Sequence, residues 1–254
     1  MKKYLILLLL SLPLFSNQTL GVAEKLGTMV PLNLTFINEN AKPVTLKKLM
    51  DGKPTLITLN YYKCAGICSP QLNKLSDALA KVKLSENTDY KVITVSFSET
   101  ESPSLARTKK QTIFHAMPRE YVQDAWHFVI GENNSSGKLA QAVGFKYKAV
   151  KMENGDTGYI HPAMAVMLSP KGKITGYLMG VNQLPADITM AIKEAKMGRT
   201  RDPILRNDEP FCFTKTPAFD RAVNKMTRIL GLLSLLLFLG FFFFVVRKKN
   251  KKED

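Results

Sequence analysis

Cysteine is scarce, with three copies in 254 residues. That is too few for a small secreted scaffold built from disulfides. Histidine is as scarce, so any imidazole chemistry must come from His115, His127 or His161. Long apolar runs are missing from the interior and occur only at the two ends, which excludes a polytopic membrane protein. The chain shows no internal repeat and no low-complexity stretch apart from its apolar C-terminal run. Hydrophobic residues make up 45% and charged residues 22%, which excludes a wholly disordered chain. The length allows one ordinary domain or two small ones. What remains is a globular domain between two hydrophobic termini.

The ends bear on location. Met1-Lys2-Lys3 precedes an apolar run over 4–15. A short basic segment before about a dozen apolar residues is a secretory signal pattern, and the run falls short of the ~20 residues that a spanning helix needs. A signal peptide is therefore expected over 1–21. No cysteine follows the run, which argues against a lipid anchor there. The second run, 229–246, contains no charge and is followed by Arg247, Lys248, Lys249, Lys251 and Lys252. A transmembrane helix with a basic cytoplasmic tail at 247–254 is expected, and it would hold the domain outside by a single anchor.

The net charge is +15. A basic surface can attract nucleic acid, anionic lipid or an acidic protein. The lysines are scattered singly and in pairs, without interleaved aromatics. The expected reading is a solvated surface facing an anionic membrane, with no nucleic-acid partner.

The middle reads as α/β. Residues 30–37 alternate apolar and polar and predict a half-buried strand, with a turn at Asn38-Glu39-Asn40 and a return over 43–46. Residues 55–60 and 91–96 are β-branched runs that predict central strands. Leu72, Leu75, Leu79 and Val82 fall at helical spacing and predict a helix over 70–82. Ser102 is placed to cap a helix opened by Pro103. A strand at 126–130, a helix at 138–143, a hairpin of 160–168 with 173–179, and a helix at 185–197 complete the pattern. Such an order fits helices on both faces of a mixed sheet, in a domain spanning 22–198. Residues 199–228 carry Pro203, Pro210 and Pro217 with little periodicity, and predict a linker partly packed on the domain.

The chemistry is expected at Cys64 and Cys68, four residues apart between a strong strand and a strong helix. Four residues make about one helical turn, which lets both sulfurs face the same way above a helix N-terminus that favours thiolates. Thiolates serve as soft-metal ligands, for Cu(I) or zinc, and as redox nucleophiles. A structural disulfide is the plainer alternative. A trigonal metal site needs a third ligand. His161, at the start of a predicted strand, is the candidate; Met164 offers a further sulfur but reads more simply as packing. His115 and His127 read as surface or structural residues. Cys212 is unpaired by count and reads as a linker thiol.

These residues resemble the Sco (SenC) group of thioredoxin-like copper proteins, over roughly residues 30–197. The resemblance rests on Asn60-Tyr61-Tyr62-Lys63-Cys64 with Cys68, on Val95-Ser96-Phe97, on Trp126-His127-Phe128-Val129-Ile130-Gly131, on Val143-Gly144-Phe145-Lys146-Tyr147, and on the stretch from His161 through Leu168-Ser169-Pro170-Lys171-Gly172. Phe211-Cys212-Phe213 and the C-terminal run resemble a bacterial subgroup. The resemblance implies a thioredoxin-like α/β sandwich with a mixed central sheet, plus the C-terminal transmembrane helix. It implies copper, as Cu(I) or Cu(II), held by Cys64, Cys68 and His161. It implies a copper chaperone for the copper-site subunit of cytochrome c oxidase, at the bacterial inner membrane with its domain in the periplasm. Other copper carriers and thiol–disulfide proteins would be further partners. The alternative it carries is a thiol–disulfide oxidoreductase that reduces the oxidase cysteines, with Cys64 and Cys68 as the catalytic pair. A peroxidase fits less well, given the wide cysteine spacing. The chain departs from the family where many members have proline after each cysteine: here Ala65 and Ser69 stand. It also lacks the Asp-Pro common in the segment now reading Ser98-Glu99-Thr100-Glu101, where Glu99 or Glu101 would have to substitute.

Overall fold

The structure is a computed structural model and describes residues 21–64, 66, 68–152, 155–203, 211–212 and 234. Its elements run β1 (Gly21–Val22), β2 (Thr35–Asn38), β3 (Pro43–Thr45), α1 (Leu46–Met50), β4 (Thr55–Asn60), α2 (Cys68–Leu79), β5 (Lys91–Ser96), α3 (Pro103–His115), β6 (Trp126–Gly131), α4 (Ser135–Ala142), β7 (Phe145–Lys146), β8 (Lys148–Lys151), β9 (Thr157–Pro162), β10 (Met164–Leu168), β11 (Ile174–Met179), α5 (Pro185–Lys196) and β12 (Phe211–Cys212). The main sheet has the order β11-β10-β4-β5-β6-β2-β3. Its centre is parallel, from Thr55↔Lys91 to Asn60↔Ser96 and from Val92↔Trp126 to Ser96↔Ile130. β10 and β2 flank that centre as antiparallel strands. Every residue of β4 and β5 is buried, as expected of parallel strands covered on both faces.

Helices cover both faces. Leu72 and Leu75 of α2, Ile113 of α3 and Ile188 and Ile192 of α5 pack with Trp126 and Phe128 on one side. Leu46 and Leu49 of α1 and Leu139 of α4 pack on the other, in a cluster that also contains Phe97, Phe145, Cys64 and Cys68. The result is a thioredoxin-like sandwich with the cysteines at one end of the central strands. Ser102 caps α3 by accepting from the Leu105 amide, with Pro103 in the first turn, as its sequence predicts.

Three expectations change. The strand over 30–37 shrinks to β2, because the Val30 amide bonds the Gly172 carbonyl while the Leu32 and Leu34 carbonyls accept from Lys47 and Leu46. The helix expected over 70–82 starts at Cys68 and ends at Leu79. The strand expected over 160–168 breaks in two: β10 stays in the main sheet, whereas β9 joins a separate sheet of order β12-β9-β8. Pro162 lies at the break, and its lack of an amide hydrogen interrupts a ladder.

In the expected linker, the Arg201 amide bonds the Thr175 carbonyl and β12 pairs with β9. Among the described residues no helix is long and apolar enough to cross a membrane. The expected signal peptide and transmembrane helix, apart from Gly21 and Ser234, lie outside the described residues, as does the expected tail at 247–254.

Candidate metal centre

Three elements supply the donors. Cys64 lies on the loop that follows β4, Cys68 is the first residue of α2, and His161 is in β9. Their ligand atoms all lie within 4.8 Å of one another. Both cysteines are thiols, and the exposures are 6% for Cys64 and 0% for Cys68 and His161. Cys68 Sγ is 3.3 Å from His161 Nε2, and the Gly66 amide donates to Cys64 Sγ at 3.3 Å. His161 Nδ1 lies 3.0 Å from the Pro162 carbonyl oxygen. A carbonyl only accepts, so this partner assigns the proton to Nδ1 and leaves the Nε2 lone pair facing the thiols. That is the tautomer a metal-binding imidazole needs.

The two sulfurs come together at the start of α2, although not through a shared helical turn. Only Cys68 is helical; Cys64 closes a turn in which its amide bonds the Tyr61 carbonyl at 3.3 Å. Cys68 alone therefore sits at the positive end of α2, where a thiolate is favoured. The three donors converge because a helix, a loop and a strand from the second sheet meet at one end of β4.

Polar groups fix this meeting. Gln71, one turn into α2, donates through Nε2 to the Met164 carbonyl at 3.0 Å and accepts from Asn60 Nδ2 at 3.0 Å. It ties the helix of Cys68 to the chain just past His161. Glu101 accepts from the amides of Tyr62 at 2.8 Å and Lys63 at 2.7 Å, and from Ser96 Oγ at 2.6 Å. Lys109 Nζ donates to Ser69 Oγ at 3.0 Å. Burial, with the charges of Glu101 and Glu39 adding to it, holds the Tyr62 phenol well above its ordinary value. It stays protonated and bonds the Thr94 and Val129 carbonyls at 3.0 and 2.8 Å. Around His161 stand Tyr61, Phe97 and Phe145, with ring centroids 6.1, 5.1 and 5.9 Å away. This apolar wall lowers solvent access to the imidazole.

The remaining candidates lie elsewhere or act otherwise. His115 is exposed at the end of α3. His127 Nδ1 lies 3.3 Å from Glu39 Oε1, within a buried ion cluster that includes Lys110. Met164 is buried in the core cluster. Glu99 is exposed, whereas Glu101 is buried on the backbone of the cysteine loop. β12 sets Cys212 opposite His161 in the antiparallel ladder. Gln71 is the supporting residue that the sequence reading overlooked. Its signal is a polar side chain beside Leu72 and Leu75, on the stripe that α2 buries.

Two thiolates and an imidazole form a soft donor set. Three donors leave room for ligand exchange, whereas a closed structural zinc site uses four.

A family model described as SCO1/SenC matches residues 29–196, which include all three donors. Protein SCO1 homolog 1, mitochondrial, of Arabidopsis thaliana is 28% identical over 140 residues, covering 54% of this chain. The chain spans only 38% of the length of that curated relative. A putative electron transfer protein from Aquifex aeolicus VF5 is similar in structure, with a TM-score of 0.60, 25% identity, and coverage of 69% of this chain and 96% of that one. Arabidopsis thaliana ScoI, solved with copper bound, shares the fold with a TM-score of 0.53 at 22% identity, covering 68% of this chain and 99% of that one. With more than half of its length matched by the family model and its two cysteines and histidine gathered at one site, the chain belongs to the SCO1/SenC family.

Proposed function

We propose that this protein is a membrane-anchored, extracytoplasmic copper chaperone that supports assembly of the copper site of cytochrome c oxidase. The observation that carries the reading is the Cys64, Cys68 and His161 cluster, buried and with its donor atoms within 4.8 Å of one another. Copper is the cargo. Cys64 and Cys68 bind it as thiolates and His161 binds it through Nε2, while Nδ1 keeps its proton on Pro162. Delivery is a ligand exchange, in which a recipient thiolate replaces one of the three donors with no net change in oxidation state. The apolar run over 229–246 would hold the carrier beside a membrane recipient, where tethering raises effective concentration. The apolar runs over 4–15 and 229–246 support a domain outside the cytoplasm, and the likeness of the C-terminal segment to a bacterial subgroup supports a bacterial inner membrane as its site.

The test is an anaerobic Cu(I) titration of the reduced full chain in detergent, beside Cys64→Ala and His161→Ala. One copper per chain, weakened strongly by both substitutions, is the expected result. A wild-type chain that takes up no copper in either oxidation state sinks the reading.

The paired thiols also support a second reading, a thiol–disulfide oxidoreductase. The Cys64 thiolate would attack a partner disulfide and expel one partner thiolate. Cys68 would then displace the other, leaving a Cys64–Cys68 disulfide and a reduced partner. This route spares His161, so exchange activity in His161→Ala with weak copper binding in the wild type would favour it.

A further inference from the structure

We propose that Glu101 is a positioning residue of the metal centre, holding the loop that carries Cys64 and thereby setting the copper affinity and the redox poise of the Cys64/Cys68 pair. The affinity half of this inference rests on the copper reading above.

Cys64 belongs to no helix or strand. Something else must order the residues before it, and the amides of Tyr62 and Lys63 need acceptors. Both find one carboxylate, with Tyr62 on Oε2 at 2.8 Å and Lys63 on Oε1 at 2.7 Å. Two adjacent amides on the two oxygens of one carboxylate fix a direction as well as a distance. Glu101 is itself held. It is buried, Ser96 Oγ at the end of β5 donates to Oε2 at 2.6 Å, and the next residue, Ser102, caps α3. A second tie reaches the far side of the loop, where Lys109 of α3 bonds Ser69, the neighbour of Cys68. The segment from Ser96 to Lys109 thus grips the chain on both sides of the cysteine pair. Side chains that orient metal ligands from behind typically carry 10–100-fold in affinity.

The test uses the full chain in detergent, as Glu101→Gln, Ser96→Ala and the control Glu39→Gln. The glutamine keeps the shape of the side chain, but its amide nitrogen cannot accept from a backbone N–H. Glu39→Gln removes a buried carboxylate whose bonds go to Lys110, His127 and the Phe128 amide. Cu(I) affinity is read by competition with a chromophoric chelator. The midpoint potential of the Cys64/Cys68 pair is read in metal-free protein against a glutathione buffer, and far-UV circular dichroism follows folding. Glu101→Gln should lower copper affinity 10–100-fold and displace the dithiol potential. Ser96→Ala should move both in the same directions by less. Glu39→Gln should lower the melting temperature and leave both readouts in place. Folded Glu101→Gln and Ser96→Ala proteins with affinity within twofold of wild type and an unmoved potential overturn the proposal. If Glu101→Gln fails to fold, Ser96→Ala decides alone. If wild type takes up no copper, the chaperone reading fails and the dithiol potential still decides the role of Glu101.

Discussion

Replacing Gln71 with leucine separates the alignment of the metal centre from its donors. Gln71 is buried and makes two side-chain bonds, one to the Met164 carbonyl and one from Asn60 Nδ2. Leucine is close in volume, so the change leaves packing largely intact and orphans the two partners. Each unsatisfied buried group costs ~1–3 kcal/mol, and the apolar replacement returns part of that, which gives a net loss of roughly 1–5 kcal/mol. For a domain of this size the loss should lower the melting temperature by about 2–20 °C. Function should suffer separately. Gln71 ties α2 to the chain just past His161, and Cys68 and His161 stand only 3.3 Å apart. Losing the tie should weaken Cu(I) binding by ~10-fold or more, although no donor has changed. Thermal melts followed by circular dichroism and competition titration with a Cu(I) chelator measure the two effects. An unchanged melting temperature refutes the bonding argument. A lowered melting temperature with copper affinity within twofold of wild type refutes the claim that Gln71 aligns the site.

Other consequences are open to measurement. Burial works to raise the Glu39 carboxyl, but its hydrogen bond to His127 and the charge and bond of Lys110 bring it from 4.5 down to about 2. A carboxyl depressed in the fold stabilises it above the unfolded value and loses that contribution as pH falls toward the folded one. The difference is on the order of 3 kcal/mol, so urea midpoints should drop between about pH 5 and about pH 2, and Glu39→Gln should flatten that drop. Saturating Cu(I), at ~100 times its dissociation constant, should stabilise the reduced protein by about 2.7 kcal/mol; a melting temperature that rises equally in His161→Ala would contradict the assigned ligand. Cys64 is 6% exposed and Cys68 is 0%, so iodoacetamide should label Cys64 first, with peptide mass spectrometry as the readout. Three donors already lie within 4.8 Å of one another, so Cys212→Ser should keep one copper per chain; a lost or halved stoichiometry would bring Cys212 into the site.

Much of this arrangement is legible in the sequence where local rules act. The β-branched runs at 55–60 and 91–96 form the strands they predict, with the same limits, because burial on both faces leaves few alternatives. The Ser102-Pro103 start of α3 follows from capping chemistry alone. The gathering of Cys64, Cys68 and His161 depends on sheet order, which no periodicity in one segment reports. Family resemblance links the three; spacing alone does not. The break at Pro162 is hidden because 160–168 reads as one strand, although a proline inside a strand pattern is a warning of an edge or a break. The Glu101 clamp is also long-range. Its residue stands among Ser98, Glu99 and Thr100 in an ordinary polar loop, and only the fold lays it against the amides of Tyr62 and Lys63.

The three donors do not stand on equal footing, and that inequality bears on how cargo would leave in the proposed delivery. Cys68 opens a helix tied by Gln71, and His161 lies in a strand inside an aromatic wall; both are fully buried. Cys64 lies on a loop and is the one donor with measurable exposure. In the proposed delivery, an incoming thiolate would meet Cys64 first, and displacing it would move the loop rather than a helix or a sheet. Cys68 and His161 can then retain the metal while the recipient completes its own set. The same asymmetry would make Cys64 the attacking thiol in disulfide exchange, with buried Cys68 resolving. Both readings therefore begin at one sulfur, and they part at His161. An imidazole whose Nδ1 proton is committed to the Pro162 carbonyl, and whose Nε2 lone pair faces the thiols, suits a metal ligand, whereas a dithiol exchange would use it only as a base toward the Cys68 thiol. That commitment is the physical ground for ranking copper delivery above reduction.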